Sequence, residues 1–234
     1  MAAPTRQVET TQMTTSDFPF PRRYNSLRLL GFDYSSTSAL YSVTLKTDSS
    51  RPVFGDITLA KKVLTVLLDH RTLARIRLCA YALLPDHLHL LAGVKESGKT
   101  LSSLLGAFES LTTQVYWKRS HEITNTRSIS LPPHSVQKSS REEARMLMKA
   151  LIEGEVTLRP EAVELKNWPL VKPEHFLSKH LWQRSFHDHI IRNDVDLRES
   201  LEYIMLNPVR RGYVSKPEFY PFSRIGINEL PGVV

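Results

Sequence analysis

The chain has a single cysteine, Cys79, among its 234 residues. One thiol excludes any disulfide within the chain and any zinc cluster built on cysteines, and it suits a reducing, cytoplasmic setting. Long hydrophobic runs are also missing. The longest unbroken apolar stretch, Leu78 to Leu84, has seven residues, against the roughly 20 that a membrane-spanning helix needs. The N-terminal stretch MAAPTRQVETTQMTTSDF is polar and rich in threonine, so no secretory signal is expected. No internal repeat is visible. Hydrophobic residues at 41% and charged residues at 24% fit a globular domain with a sizeable core, and exclude a disordered, collagen-like or coiled-coil chain.

Charge is tilted rather than extreme. Lys and Arg number 31 and Asp and Glu 24, a net charge of +7. Such an excess suits an anionic partner without requiring one. It is also uneven: residues 1–80 hold 11 Lys or Arg against 6 Asp or Glu. The N-terminal third therefore carries most of the surplus.

Residues 1–25 combine threonine, proline and few large aliphatics, and read as a tail ending in the basic pair Arg22 and Arg23. A β-prone run from Ala39 extends to Leu45 and ends in the turn cluster TDSSRP. Asp56 can cap a helix whose apolar positions are Leu59, Val63, Val66, Leu67 and Leu73. Arg77–Leu84 reads as a buried strand, Pro85-Asp86 as a break, and His87–Val94 as a second strand joined tightly to the first. Thr100 can cap an amphipathic helix carrying Leu101, Leu104, Leu105, Phe108, Leu111 and Val115. The order β-α-β-β-α lacks one strand of a ferredoxin-like split βαβ arrangement, an α+β fold with a central antiparallel sheet.

Residues 121–180 hold several prolines, a serine-rich patch and one clear helix, Arg141–Ile152. They read as an insertion, because a structureless loop of that length is rare in a compact domain. Trp182–Arg192 then supplies the missing strand. Asp194 or Asp196 opens a final helix that reaches Asn207, where Pro208 ends or kinks it. This gives one domain over 26–225, interrupted at 121–180 and followed by a short tail at 226–234.

Two motifs carry chemistry. In His87-Leu88-His89 the imidazoles share one face of a strand, about 7 Å apart, while Leu88 and Leu90 face the other way. Two such imidazoles can converge on one metal ion, although an isolated pair of this kind is more often a polar sheet surface. In the last helix, Leu197, Leu201 and Ile204 form the buried seam. Tyr203 and Asn207, one turn apart, lie together off that seam with Asp196 and Ser200. On spacing alone, Tyr203 is equally a boundary tyrosine that packs its ring and exposes its hydroxyl.

The stretches YALLPDHLHLLAGV and LWQRSFHDHIIRNDVDLRESLEYIMLNPVRRGYV together resemble the HUH-type single-strand nucleases. The resemblance is to the REP-associated tyrosine transposase branch, over roughly residues 26–120 and 181–225. It implies an HUH core with a C-terminal tyrosine-bearing helix. His87 and His89 would be the metal-binding pair, Asn207 the polar residue completing the metal site, and Tyr203 the nucleophile. Asp86 departs from the asparagine common in that branch, and the 121–180 segment is a second departure.

The implied reaction is tyrosine attack on a phosphodiester of single-stranded DNA. It gives a 5′-phosphotyrosine link and a free 3′-hydroxyl. The implied cofactor is Mg²⁺ or Mn²⁺, whereas ligand softness alone suggests a transition metal. The implied partner is single-stranded DNA bearing hairpins or palindromic repeats, bound by a monomer rather than a dimer. Arg192, Arg210 and Arg211 flank the proposed site and could hold phosphates, as could Arg22 and Arg23. Trp182 and Phe186 could stack a base, but core packing suits them better. A second pair, His187 and His189, reads as structural or as part of a DNA groove. Two other readings stay open: a chemically silent DNA-binding protein of the same fold, and a metal-dependent hydrolase in which Tyr203 is structural.

Overall fold

A computed structural model describes residues 33–125 and 165–226. The tail at 1–25 with Arg22 and Arg23, the helix expected over Arg141–Ile152 and the tail beyond Gly226 lie outside the described residues. Strand β1 (Leu40–Lys46) shows the alternation of a half-covered strand. Tyr41, Val43 and Leu45 are buried, and Ser42, Thr44 and Lys46 take the other face. Asp56 caps α1 (Ile57–Leu68) as expected, accepting the Leu59 amide at 2.7 Å. The same carboxylate pairs with the Arg119 guanidinium at 2.8 Å, which ties the start of α1 to the C-terminal half of α3 (Leu101–Asn125).

The helix stops earlier than its apolar spacing suggested. Asp69 caps a second helix, α2 (His70–Arg75), by accepting the Arg71 amide, so Leu73 belongs to α2. Strands β2 (Ile76–Leu84) and β3 (His87–Val94) form a hairpin across Pro85-Asp86. An irregularity between Leu78 and Ala80 shifts the phase of β2. Leu78 and Tyr81 therefore face one core, while Cys79, Ala80 and Ala82 face another.

Thr100 caps α3 by accepting the Ser103 amide. The helix buries Leu101, Leu104, Leu105, Phe108, Thr112 and Tyr116, whereas Leu111 points outward. Thr112 takes the inner position because it completes a buried bond: the Trp182 indole N–H donates to its hydroxyl at 2.8 Å. Both Trp182 and Phe186 lie in the core, as their size suggested.

The last expected strand is short. Only His187–Ile190 forms β4, after an isolated bridge between Thr47 and Trp182. Asn193, rather than Asp194 or Asp196, caps α4 (Asp194–Arg210), accepting the Asp196 amide at 2.9 Å. The helix runs through Pro208 for two more residues. Beyond the Arg211 cap the chain turns at Gly212, whose φ of 72° suits the left-handed turn that follows a helix. A fifth strand, β5 (Ser223–Ile225), which the sequence did not suggest, pairs with β2.

The sheet order is β4-β1-β3-β2-β5, with every neighbouring pair antiparallel. Its first four strands have the ferredoxin-like order, so the chain is α+β as expected. Helices α1 and α3 pack together on one face. Helix α4 lies across β2 and β3 on the other, through Leu197 and Ile204. The span read as an insertion is narrower in the structure. Residues up to Asn125 continue α3, and Trp168, Val171 and Phe176 pack against the main core. Among the described residues, no helix is long and apolar enough to cross a membrane.

Candidate active site

Strand β3 puts Leu88 and Leu90 into the core beneath α1 and α3. Period-2 alternation then forces His87 and His89 onto the opposite face, beside α4. Both are buried, at 5% and 3% exposure. Their Nε2 atoms lie 3.1 Å apart. The helix seam through Leu197 and Ile204 turns the adjoining face of α4 toward the pair. Asn207, 7% exposed, places its Nδ2 2.9 Å from His89 Nε2. Tyr203, one turn earlier, sets its ring edge-on to His89 at 5.2 Å between centroids. It stays 48% exposed, with its hydroxyl end open to solvent-borne ligands of the cleft.

These side chains line one cleft of about 620 Å³, together with Thr44, Lys46, Ser50, Asp86, His187, Arg210 and Arg211. Arg210 lies over the Tyr203 ring, 5.5 Å from its centroid. Residues distant in sequence are thus brought together as the motifs suggested. Arg192 is not: its amide donates to Asp196 at the start of α4, and its side chain does not line the cleft. The second histidine pair divides. His187 lines the cleft, while His189 faces Asp196 at 3.4 Å.

Lys46, Thr44 and Ser50 were missed in the sequence. The polar half of β1 was the available signal, since Thr44 stands opposite His89 and Lys46 opposite His87 in the sheet register. The charge also reads differently here. Lys46, Arg210 and Arg211 face one carboxylate, Asp86, so the cleft is cationic although most of the surplus lies elsewhere in the sequence.

Burial pushes His89 down to about 3, aided by the charges of His87, Arg211 and Lys46 and opposed by Asp86. His89 is therefore neutral at physiological pH, the form in which an imidazole can ligate a metal. Burial works to raise the Asp86 carboxyl, but its hydrogen bond to His87 and the charges of His87 and Arg211 hold it below its ordinary value. A histidine with a lowered folded value favours the native state above about pH 6.5, its ordinary value in an unfolded chain. That contribution is lost as the pH falls toward 3. Urea unfolding of the metal-free protein should lose up to ~1.4 kcal/mol per pH unit from this group, and His89→Gln should flatten that part of the profile.

The donor set, two imidazole nitrogens and an amide oxygen, suits a divalent metal ion. Two nitrogens at about 2.1 Å from one octahedral ion, at right angles, lie roughly 3.0 Å apart, close to the separation of the imidazoles. Asn207 Oδ1 is buried with no hydrogen-bond partner, leaving an acceptor free for such an ion. Among the described residues no group of three or more His, Cys, Asp or Glu could hold a metal.

No protein-family model matches the chain. A Haemophilus influenzae protein assigned as a REP-associated tyrosine transposase is 49% identical over 43 residues, 18% of this chain and 24% of that protein. The REP-associated tyrosine transposase of Escherichia coli is 44% identical over 45 residues, 19% of this chain and 27% of that protein. The matched stretches thus span about a quarter of those relatives. A solved structure of a REP-associated tyrosine transposase bound to a REP hairpin has a TM-score of 0.47 and 18% identity, covering 82% of this chain and 79% of that chain. The two sequence matches bear out the resemblance to REP-associated tyrosine transposases.

Proposed function

We propose that the protein is a metal-dependent endonuclease and strand transferase that cuts single-stranded DNA beside a hairpin, with Tyr203 as the nucleophile. The observation that carries the reading is the meeting of Tyr203, His87, His89 and Asn207 in one cationic cleft. The Tyr203 hydroxyl gives up its proton as its oxygen bonds to phosphorus, the bond to the 3′ oxygen breaks, and the leaving oxygen takes up a proton. The products are a 5′-phosphotyrosine and a free 3′-hydroxyl. Because the phosphodiester is exchanged rather than hydrolysed, a second 3′-hydroxyl can reverse the step without an external energy source.

His87, His89 and Asn207 would hold Mg²⁺ or Mn²⁺, which would polarise a phosphoryl oxygen and offset the charge developing on it. Arg210 steadies the Tyr203 ring from above. Lys46 and Arg211 supply positive charge to the strand's phosphates.

The test is a denaturing gel with hairpin DNA labelled separately at each end. With Mn²⁺, the 3′-labelled fragment should migrate with the protein, and the 5′-labelled fragment should be released with a 3′-hydroxyl. Chelation should stop both. Cleavage without a covalent product would point instead to a metal-dependent hydrolase, and binding without cleavage to a chemically silent DNA-binding protein.

A further inference from the structure

Each imidazole of the pair offers its other nitrogen to a side chain of the protein. His87 Nδ1 lies 2.6 Å from Asp86 Oδ1, and His89 Nδ1 lies 2.9 Å from Thr44 Oγ1. We propose that Asp86 and Thr44 are positioning residues that keep a proton on Nδ1 of each histidine, so that both Nε2 lone pairs face the same point in the cleft. The inference rests on the metal-site reading above.

For His87 the direction follows from the chemistry of the partner. An ionised carboxylate only accepts, so the ring must donate through Nδ1, and a neutral ring that does so has a bare Nε2. A hydroxyl can act either way, so Thr44 alone leaves His89 open. Asn207 supports the same assignment: its Nδ2 stands 2.9 Å from His89 Nε2, and in that amide orientation the N–H donates to a bare Nε2. His89 Nε2 is therefore the acceptor, and Nδ1–H donates to Thr44.

Both partners sit on fixed backbone. The Asp86 carbonyl accepts from the Thr47 amide at 2.9 Å and from the Thr47 hydroxyl at 3.0 Å. Thr47 itself is fully buried. Thr44 lies within β1, paired with His89 on one side and His187 on the other. The wrong tautomer of either histidine would put an N–H where a cation has to sit, so the partner groups govern the affinity of the site. The carboxylate at 86 then acquires a reason. An asparagine there could bond in either direction, whereas Asp86 permits only one.

The experiment is nitrogen-detected NMR of the metal-free protein at pH 8, labelled at histidine, with Mn²⁺ affinity measured in parallel. The wild type should show Nδ1–H and a bare Nε2 at both residues. Asp86→Asn should mix the tautomers of His87 alone, and Thr44→Val those of His89 alone. Each should weaken Mn²⁺ binding roughly 10- to 100-fold, while Thr44→Ser should restore both readouts. An Nε2–H at either wild-type histidine, tautomers indifferent to both substitutions, or altered tautomers with unchanged affinity would overturn the proposal. A wild type with both expected tautomers but no affinity for Mn²⁺ would support the tautomer assignment and overturn the metal reading instead.

Discussion

Tyr203→Phe should abolish the covalent protein–DNA product, a fall of at least roughly a thousandfold, as expected when a nucleophile is removed. DNA binding should stay within about twofold. The substitution takes away one oxygen and leaves the ring, which keeps its edge-on contact with His89 and its place beneath Arg210. Because Tyr203 is 48% exposed, stability should change by no more than about 0.5 kcal/mol. A loss of product therefore reports on the reaction and not on the fold. Single-turnover gels, with binding followed by fluorescence anisotropy, separate the two. Persistence of the covalent product in this variant would sink the assignment of the nucleophile, and persistence of cleavage without it would favour a hydrolase.

The histidine pair was legible because a strand has a period of two. Once Leu88 and Leu90 are core, His87 and His89 have only one face left. The tyrosine helix was legible for a similar reason. Its seam through Leu197 and Ile204 fixes where Tyr203 and Asn207 point. What could not be read locally is what lies opposite. Lys46, Thr44 and His187 reach the cleft through the register of β4, β1 and β3, and register is a long-range property. The polar alternation of β1 marked a face without saying which neighbour it would meet.

Other departures have local causes. Leu73 kept the spacing of α1, but Asp69 competed as a cap and won. The strand β5 is three residues long, too short for alternation to be distinctive. The surplus charge of the N-terminal third was a poor guide to the cleft, because three cations gathered around one carboxylate depend on folding rather than on totals along the chain.

The second large effect is expected at the imidazoles. His87→Ala and His89→Ala should each lower covalent-product formation about a thousandfold, the equivalent of about 4 kcal/mol of lost charge stabilisation. Unlike Tyr203, these residues are buried, so each variant needs a stability measurement beside the activity assay. His89→Gln serves as the bulk-preserving comparison, since it fills much of the same volume without an imidazole. Binding of the hairpin should survive in all three, because Lys46, Arg210 and Arg211 supply the cationic lining and are untouched. Lys46→Ala should show the opposite pattern: weaker and less salt-sensitive binding, with product formation recovered at saturating DNA. A histidine variant that folds, binds DNA and still forms the product at the wild-type rate would show that the pair is a polar sheet surface, the ordinary fate of two histidines in this spacing.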